Sequence, residues 1–123
     1  MLKNILLVGL GGFFGSIARY LVFLLIDKRW STAFPLSTFT VNIVGSLILG
    51  FFAGMLIRHH FTESARFFIA VGFCGSFTTF STFAYENMQL LWEKPWMAAI
   101  YIIASLSVGL GMVFLGYHLG RNV

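Results

Sequence analysis

The feature that most constrains this chain is a succession of four long apolar runs separated by short polar connections. The runs cover about residues 5–26, 36–57, 67–92 and 96–119. A helix that crosses the hydrocarbon core of a bilayer needs about 20 mostly apolar residues, and each run is long enough. Charged residues make up only 10% of the chain, whereas soluble domains carry about a quarter. The sequence therefore predicts an all-α integral membrane protein with four transmembrane helices.

The connections between these runs leave no room for a second folded unit. They cover residues 27–35, 58–66 and 93–95. Connections this short force consecutive helices to lie antiparallel to one another. We therefore expect residues 1–123 to form a single four-helix transmembrane domain.

The third run is too long for one straight span and contains a segment that weakens helices. A straight helix of about 26 residues would reach roughly 39 Å, against a hydrocarbon core of about 30 Å. Its centre, residues 72–83, reads GFCGSFTTFSTF, and Gly, Ser and Thr all disfavour a helix interior. We expect the third helix to be broken near mid-membrane. Because non-helical backbone survives there only where protein or water covers it, the break predicts a buried or solvated functional centre.

Small residues recur four positions apart in every run and predict close helix packing. Such pairs let two helix backbones approach each other, either within one chain or between chains. The pairs are Gly11/Gly15, Gly50/Gly54, Gly72/Ser76 and Gly116/Gly120.

Lysine and arginine are almost evenly divided between the two ends of the predicted bundle. A protein with a single orientation usually shows a clear excess on its cytoplasmic side. The near-balance leaves two alternatives open: a weak bias that still fixes one orientation, or a dual topology in which two copies pair as an antiparallel homodimer. Lys3, Arg58, Arg66 and Arg121 lie on the side of both termini, and Lys28, Arg29 and Lys94 lie on the other.

Neutral polar side chains form aligned stripes inside the spans. Residues four positions apart share one face of a helix. Such residues commonly hold neighbouring helices together. Two stripes beside a broken helix instead favour a path along which hydrogen-bond donors pass an anion. The stripes are Thr38, Asn42 and Ser46 in the second run and Tyr101 and Ser105 in the fourth, with Ser81 and Thr82 after the expected break.

Phenylalanines form a further stripe through the centre of the third run, at positions 73, 77, 80 and 83. An aromatic stripe in a membrane helix is most often a packing surface. The edge of a phenyl ring is electropositive, however, so rings presented edge-on can also contact a partly dehydrated anion.

Two charged residues, Arg19 and Glu86, lie within the predicted spans. Placing one arginine at mid-bilayer costs about 2.5–3.5 kcal/mol on insertion scales, so such a residue needs a reason to be there. The first and third spans have the same direction, which leaves two alternatives: an ion pair, or a vestibule in which Arg19 attracts anions. Glu86 is the only acid in any span, and a cation path would need more.

Three segments, in order along the chain, resemble the Fluc (CrcB) family of fluoride channels of the small dual-topology bacterial type. Residues 11–20 (GGFFGSIARY) resemble the family's GGxxGxxxRY opening, and residues 37–46 (STFTVNIVGS) resemble its GTLxVNxxGS segment. Residues 75–83 (GSFTTFSTF) resemble its GxxTTFSTF core, and Glu86 stands where the family has an acid. One departure is Ser37, where the family usually has glycine.

The resemblance implies an antiparallel dual-topology homodimer with two pores, located in the cytoplasmic (inner) membrane of a bacterium. It implies passive, fluoride-selective efflux that protects the cell from fluoride. Phe80 and Phe83 would be the pore phenylalanines, with Asn42 as their polar neighbour. The whole path assigned in this way comprises Phe80, Phe83, Asn42, Ser81, Thr82, Thr38, Tyr101, Ser105, Arg19 and Glu86.

The resemblance also implies a structural Na⁺ at the centre of the dimer and no organic cofactor. The backbone carbonyls of Gly75 and Thr78 from both chains would bind it. Na⁺ is a hard cation that takes oxygen ligands, and a broken helix frees carbonyl oxygens.

Other classes of protein fit the sequence less well. A proton-coupled exporter of the small multidrug type needs an acid deep in its first span, where this chain has Arg19 and no acid. A structural membrane subunit without transport would explain the small-residue pairs but not the polar stripes. We do not expect an enzyme, because no nucleophile–base set or metal cluster appears. We do not expect nucleic-acid binding either, because no clustered basic face is present.

Overall fold

The computed structural model describes residues 1–123 and contains only helices and their connections. The helices are α1 (Leu2–Arg29), α2 (Leu36–Met55), α3 (Glu63–Arg66), α4 (Gly75–Phe77), α5 (Phe80–Glu93) and α6 (Pro95–Arg121), with a π-helix at Phe67–Cys74 between α3 and α4. Four segments are long and apolar enough to cross a membrane: α1, α2, the third span Glu63–Glu93, and α6. The predicted all-α chain with four spans is confirmed.

The helices extend past the apolar runs at most of their ends. α1 occupies Leu2–Arg29, beyond the predicted 5–26, and its last turn contains Lys28 and Arg29. Basic side chains are favourable there because the C-terminal end of a helix carries a partial negative charge. The third span begins at Glu63, after Thr62 accepts a hydrogen bond from the Ala65 N–H at 3.2 Å. Hydrophobicity marks the membrane-embedded part of each helix, whereas charge and capping set where the helix ends.

The third span is broken at the predicted place, between α4 and α5. Thr78 has φ −82° and ψ 159°, and Thr79 has φ −147° and ψ 114°. Both residues are therefore extended rather than helical. The predicted break near the middle of the third helix is confirmed.

Glycines pack the helices together in two pairs within the chain. α1 lies against the π-helix so closely that a Cβ added at Gly11 would overlap the carbonyl oxygen of Phe68. α2 lies against α6 in the same way, since a Cβ at Gly116 would overlap the carbonyl oxygen of Leu47. The small-residue pairs therefore serve packing inside one protomer, which was one of the two uses that the sequence left open.

The largest fully buried side chain, Tyr101 on α6, lies in a small core where α5 meets α6. Leu90 and Ala98 complete its buried centre, and Phe34 and Phe83 pack around it. Elsewhere most large apolar side chains point outward, as expected for a chain whose surroundings are lipid. The core therefore packs α5 against α6.

Candidate functional site

One side chain, Asn42 on α2, holds the break in place. Its Oδ1 accepts a hydrogen bond from the Thr79 N–H at 2.8 Å, and its Nδ2 donates to the Thr79 carbonyl at 3.2 Å. Both backbone groups of the extended residue are therefore satisfied by a single amide. Without this amide, two peptide groups would lie unpaired at membrane depth, where each costs several kcal/mol.

Two carbonyls lose their helical donors at the break. In a continuous helix the Thr79 N–H would donate to Gly75, and the Thr82 N–H would donate to Thr78. The Thr79 N–H instead donates to Asn42, and the Thr82 N–H donates to Oγ1 of Thr79 at 3.3 Å. Gly75 is also exposed, and a Cβ added there would meet no atom within 4 Å. The backbone oxygens of Gly75 and Thr78 are thus left without those N–H donors.

The break opens onto a groove of about 350 Å³, here called the break groove. It lies between the break, α2 and α6, and it is open on one side. Polar groups from all three elements therefore converge on one space beside two phenyl rings. The lining includes the polar residues Asn42, Ser46, Thr78, Thr79 and Ser105 and the aromatic residues Phe80 and Phe83.

The polar groups of the break groove differ in whether their donors are already used. Ser46 donates to the Asn42 carbonyl at 2.7 Å, and Thr78 donates to the Cys74 carbonyl at 2.9 Å. The Ser105 hydroxyl is buried and has no hydrogen-bond partner. Asn42 uses one of its two amide hydrogens on Thr79, which leaves the second available. Asn42 therefore keeps one free donor in this groove, and Ser105 is a lining residue whose buried hydroxyl has no partner in the protein.

The four-phenylalanine stripe divides at the break. Phe73 and Phe77 stack with ring centroids 5.6 Å apart, and the Phe77 side chain is buried, so this pair serves packing. Phe80 is 79% exposed and Phe83 is half-buried, and both line the break groove. Phe83 is held edge to face against Tyr101, with centroids 4.9 Å apart.

A second cavity of about 310 Å³, here called the loop cavity, lies beside the connection from α1 to α2. Asp27, Glu86 and Glu93 line it, and Ser37 donates a hydrogen bond to Asp27 across the connection. Ser37, which stands where the family usually has glycine, therefore links the end of α1 to the start of α2.

Glu86 is the point where the loop cavity meets the core. The Tyr101 hydroxyl donates to Oε1 of Glu86 at 3.0 Å. Thr38 lies beside this pair, and its side chain is completely buried. Thr38 and Tyr101 line neither cavity. Asn42 and Ser105, which belong to the same two polar stripes, do line the break groove.

The ion pair considered between Arg19 and Glu86 does not form, and the hydrogen-bond partner of Glu86 is the Tyr101 hydroxyl. The reason is the arrangement of the helices: α1 packs against the π-helix and α4, whereas α5, which carries Glu86, packs against α6. Arg19 is half-buried on α1 and lines neither cavity. It follows Gly15 by one turn, and Gly15 packs on Phe73 and Phe77, so Arg19 reaches the level of the break.

Ser81 and Thr82 lie just outside the break groove at the start of α5. Thr79 Oγ1 donates to Thr82 Oγ1 at 3.0 Å and accepts from the Thr82 N–H, so Thr79 caps α5. Ser81 is exposed. Thr79 was not predicted from the sequence to be a helix cap. A threonine that ends an irregular segment and precedes a helix is a recognisable cap signal.

An all-α chain with four membrane-spanning segments and a polar groove at a broken helix is a multi-pass membrane protein suited to handling a small ion or polar solute. Residues 6–117 match the family model described as CrcB-like protein, Camphor Resistance (CrcB), and the chain belongs to this family.

Curated relatives match almost the whole chain. A protein of Chlorobaculum tepidum is 42% identical over 123 residues, covering 98% of this chain and 97% of its own length. A protein of Bacteroides fragilis is 41% identical over 125 residues, covering 98% of both chains. Each is named fluoride-specific ion channel FluC. A Geobacillus kaustophilus protein named fluoride-specific ion channel FluC 1 is 41% identical over 121 residues, covering 94% of this chain and 97% of its own. The resemblance found in the three motifs is confirmed.

Proposed function

We propose that this chain is a fluoride-selective anion channel that gives passive efflux of fluoride and so resistance to it. The observation that carries the proposal is the break groove, where the unused donors of Asn42 and Ser105 lie beside the rings of Phe80 and Phe83. The names of the curated relatives support the same ion. A neutral groove can pass an anion along without a fixed positive charge that would trap it.

The chemistry of the groove suits a small, strongly hydrogen-bonding anion. Fluoride that leaves water must replace its hydration, and hydroxyl and amide donors can supply that replacement. Ring edges add a weaker electropositive contact, which suits an anion that is partly dehydrated. Arg19, which reaches the level of the break on α1, would raise the local concentration of anions.

We extend the proposal to an antiparallel homodimer with two pores. One protomer leaves Phe80 79% exposed and the break groove open on one side. Polar, irregular backbone is tolerated at membrane depth only where it is covered, so a second copy would complete the wall. The nearly even distribution of basic residues favours dual topology. Each protomer would be a single four-helix domain in a bacterial inner membrane, surrounded by lipid.

The break also provides oxygen donors for the structural Na⁺ that the resemblance implies. The carbonyls of Gly75 and Thr78 do not receive the N–H groups of Thr79 and Thr82 that a continuous helix would supply. A Cβ added at Gly75 would meet no atom within 4 Å. No group of three or more His, Cys, Asp or Glu side chains is arranged to bind a metal ion, so carbonyls are the ligands that fit. Gly75 and Thr78 of both chains would bind Na⁺ through these carbonyls. The positive charge of Na⁺ would offset the partial negative charge of the oxygens brought together there.

Replacement of Na⁺ by N-methylglucamine tests this part of the proposal. It should lower the melting temperature of the dimer, and restoring Na⁺ should reverse the change. Equal melting temperatures in both salts would contradict the Na⁺ site without affecting the fluoride assay.

Fluoride release from liposomes tests the channel itself. Purified protein in vesicles loaded with potassium fluoride should release fluoride rapidly when valinomycin allows K⁺ to leave, as read by a fluoride electrode. Vesicles loaded with potassium chloride should release little chloride. Folded dimers that release neither ion would refute the channel and favour a structural subunit.

Labelling from outside the cell tests dual topology. His60 lies exposed in the connection after α2, and the one natural cysteine, Cys74, is buried and should not react. In a His60→Cys variant, an impermeant maleimide should label about half of the copies in intact cells. The unsubstituted chain controls for Cys74. Labelling of all copies, or of none until the cells are opened, would fix a single orientation.

A further inference from the structure

The two ends of the bundle carry different charge. The end with both termini, here called the terminal end, has four basic residues against one acid, Glu63. The opposite end has three basic residues against two acids, Asp27 and Glu93, with Glu86 close by. The numbers of basic residues are similar, but acids offset most of the basic charge at the opposite end and little of it at the terminal end. The basic residues there, Lys3, Arg58, Arg66 and Arg121, are all exposed.

Two of these basic residues emerge at one junction between helices. A Cβ added at Gly54 would lie 2.8 Å from the Arg121 nitrogen, and one at Gly120 would lie 3.0 Å from the Met55 nitrogen, so α2 and α6 end side by side. Arg58 is in the turn directly after α2, with its N–H donating to the Met55 carbonyl at 3.2 Å. Arg58 and Arg121 thus lie at the same end of the α2/α6 junction.

Neither α2 nor α6 carries an acidic side chain. Glu63, the one acid at the terminal end, begins α3, and α3 packs against the π-helix rather than against α2 or α6. The carbonyl ends of α2 and α6 add partial negative charge on the protein side, which favours cations here. Arg58 and Arg121 are both exposed, so their positive charge remains available to an anion.

The surroundings of the junction are those of a membrane surface. Ile57, directly before Arg58, is 58% exposed, and Tyr117, one turn before Arg121, is 39% exposed. An exposed aliphatic side chain and an amphipathic aromatic one fit the boundary between acyl chains and headgroups. This setting favours a phospholipid headgroup as the anion.

We propose that the α2/α6 junction binds the headgroup phosphate of an anionic phospholipid through Arg58 and Arg121. Arginine suits this task because its planar guanidinium donates two parallel hydrogen bonds to phosphate oxygens. Basic pockets between transmembrane helices are known to take anionic headgroups. The site does not depend on fluoride conduction. In an antiparallel dimer, one such site would face each leaflet.

Lipid binding to the purified protein in detergent tests the site. Native mass spectrometry should show phosphatidylglycerol bound at least tenfold more tightly than phosphatidylcholine. The Arg58→Gln/Arg121→Gln variant should lose about thirtyfold in phosphatidylglycerol affinity, since each basic residue near an anionic surface contributes a several-fold effect. The Lys28→Gln/Arg29→Gln variant also loses two positive charges but should keep its affinity. Circular dichroism establishes that both variants are folded.

Three outcomes would overturn the proposal. Equal loss in the two double variants would mean attraction by net charge, without a site at the junction. Equal affinity for the two lipids would remove the role of the headgroup charge. If inorganic phosphate displaced phosphatidylglycerol at millimolar concentration, or stabilised the protein to the same extent, the junction would be a free-anion site and not a lipid site.

Discussion

The two halves of the third span are held in place by different kinds of interaction. Residues 63–77 lie against α1 with no space even for a methyl group at Gly11. α5 begins after the break with Phe80 almost fully exposed and with polar groups left unused beside it. The first half is fixed by contact between backbones, whereas the start of α5 is fixed by one amide and one threonine cap. Substitutions in the first half should therefore destroy the fold, and those around the break should mainly alter conduction.

Gly11→Ala should have the largest effect, because its Cβ would overlap the backbone carbonyl of Phe68. Overpacking of a filled core costs about 1–3 kcal/mol, and backbone cannot turn aside as a side chain can. We expect most of this variant to aggregate or unfold in detergent, as measured by size-exclusion chromatography and thermal unfolding. Gly9→Ala is the matched control, since a Cβ there meets nothing within 4 Å. Similar stability of the two variants would show that α1 does not depend on this contact.

Asn42→Ala should come next, because it leaves the N–H and carbonyl of Thr79 without partners. Each buried group left unsatisfied costs about 1–3 kcal/mol. We expect a lower melting temperature together with loss of most fluoride release. Asn42→Asp keeps an acceptor for the Thr79 N–H but adds negative charge to the groove, and it should reduce fluoride release at least tenfold. Thr40→Ala, which loses only a hydrogen bond to the Leu36 carbonyl of its own helix, should conduct normally.

If Asn42→Ala and Asn42→Asp both release fluoride at the normal rate, the break groove is not the path. If Asn42→Ala is destabilised yet conducts fluoride, the amide contributes to stability and not to conduction. The two halves of the third span would then differ only in how they are stabilised.

The sequence predicted the elements that depend on local chemistry. Four apolar runs gave the four spans, and the Gly, Ser and Thr of residues 72–83 gave the break. Glycine spacing likewise predicted close packing, although the sequence left open whether it lay within or between chains. These features depend on hydrophobicity, on the length of a span and on side chains too small to separate two backbones, and all three can be read from the residues themselves.

The partners of individual side chains could not be predicted, because they depend on how the helices are rotated and which of them touch. Thr38 and Asn42 share a helix face, yet Asn42 reaches the break while Thr38 lies beside Tyr101 and Glu86. Arg19 and Glu86 have similar expected depth, but α1 and α5 pack on different neighbours. The roles of all these residues in conduction remain predictions.

Tyr101→Phe sharpens the comparison at the far side of α5. The variant keeps the ring that packs on Phe83 and Phe34 but leaves the Glu86 carboxylate without its donor. A hydrogen bond to a charged group contributes about 1.5–3 kcal/mol, so the melting temperature should fall. Glu86→Gln in the same chain should recover part of the loss, because a neutral amide needs the donor less. Additive effects of the two substitutions would show that the pair is not coupled.

Ser105→Ala should have the smallest effect on stability and still reduce conduction. The Ser105 hydroxyl is buried and has no partner in the protein, so its removal breaks no hydrogen bond and should not lower the free energy of unfolding. If its donor is reserved for the anion, fluoride release should fall several-fold. Ser46→Ala is the matched control in the same groove, because the Ser46 hydroxyl already donates to the Asn42 carbonyl and offers nothing to fluoride. Equal fluoride release from the two variants would mean that unused donors do not define the path. The break groove would then differ from residues 63–77, which pack on glycines of α1, only in being open.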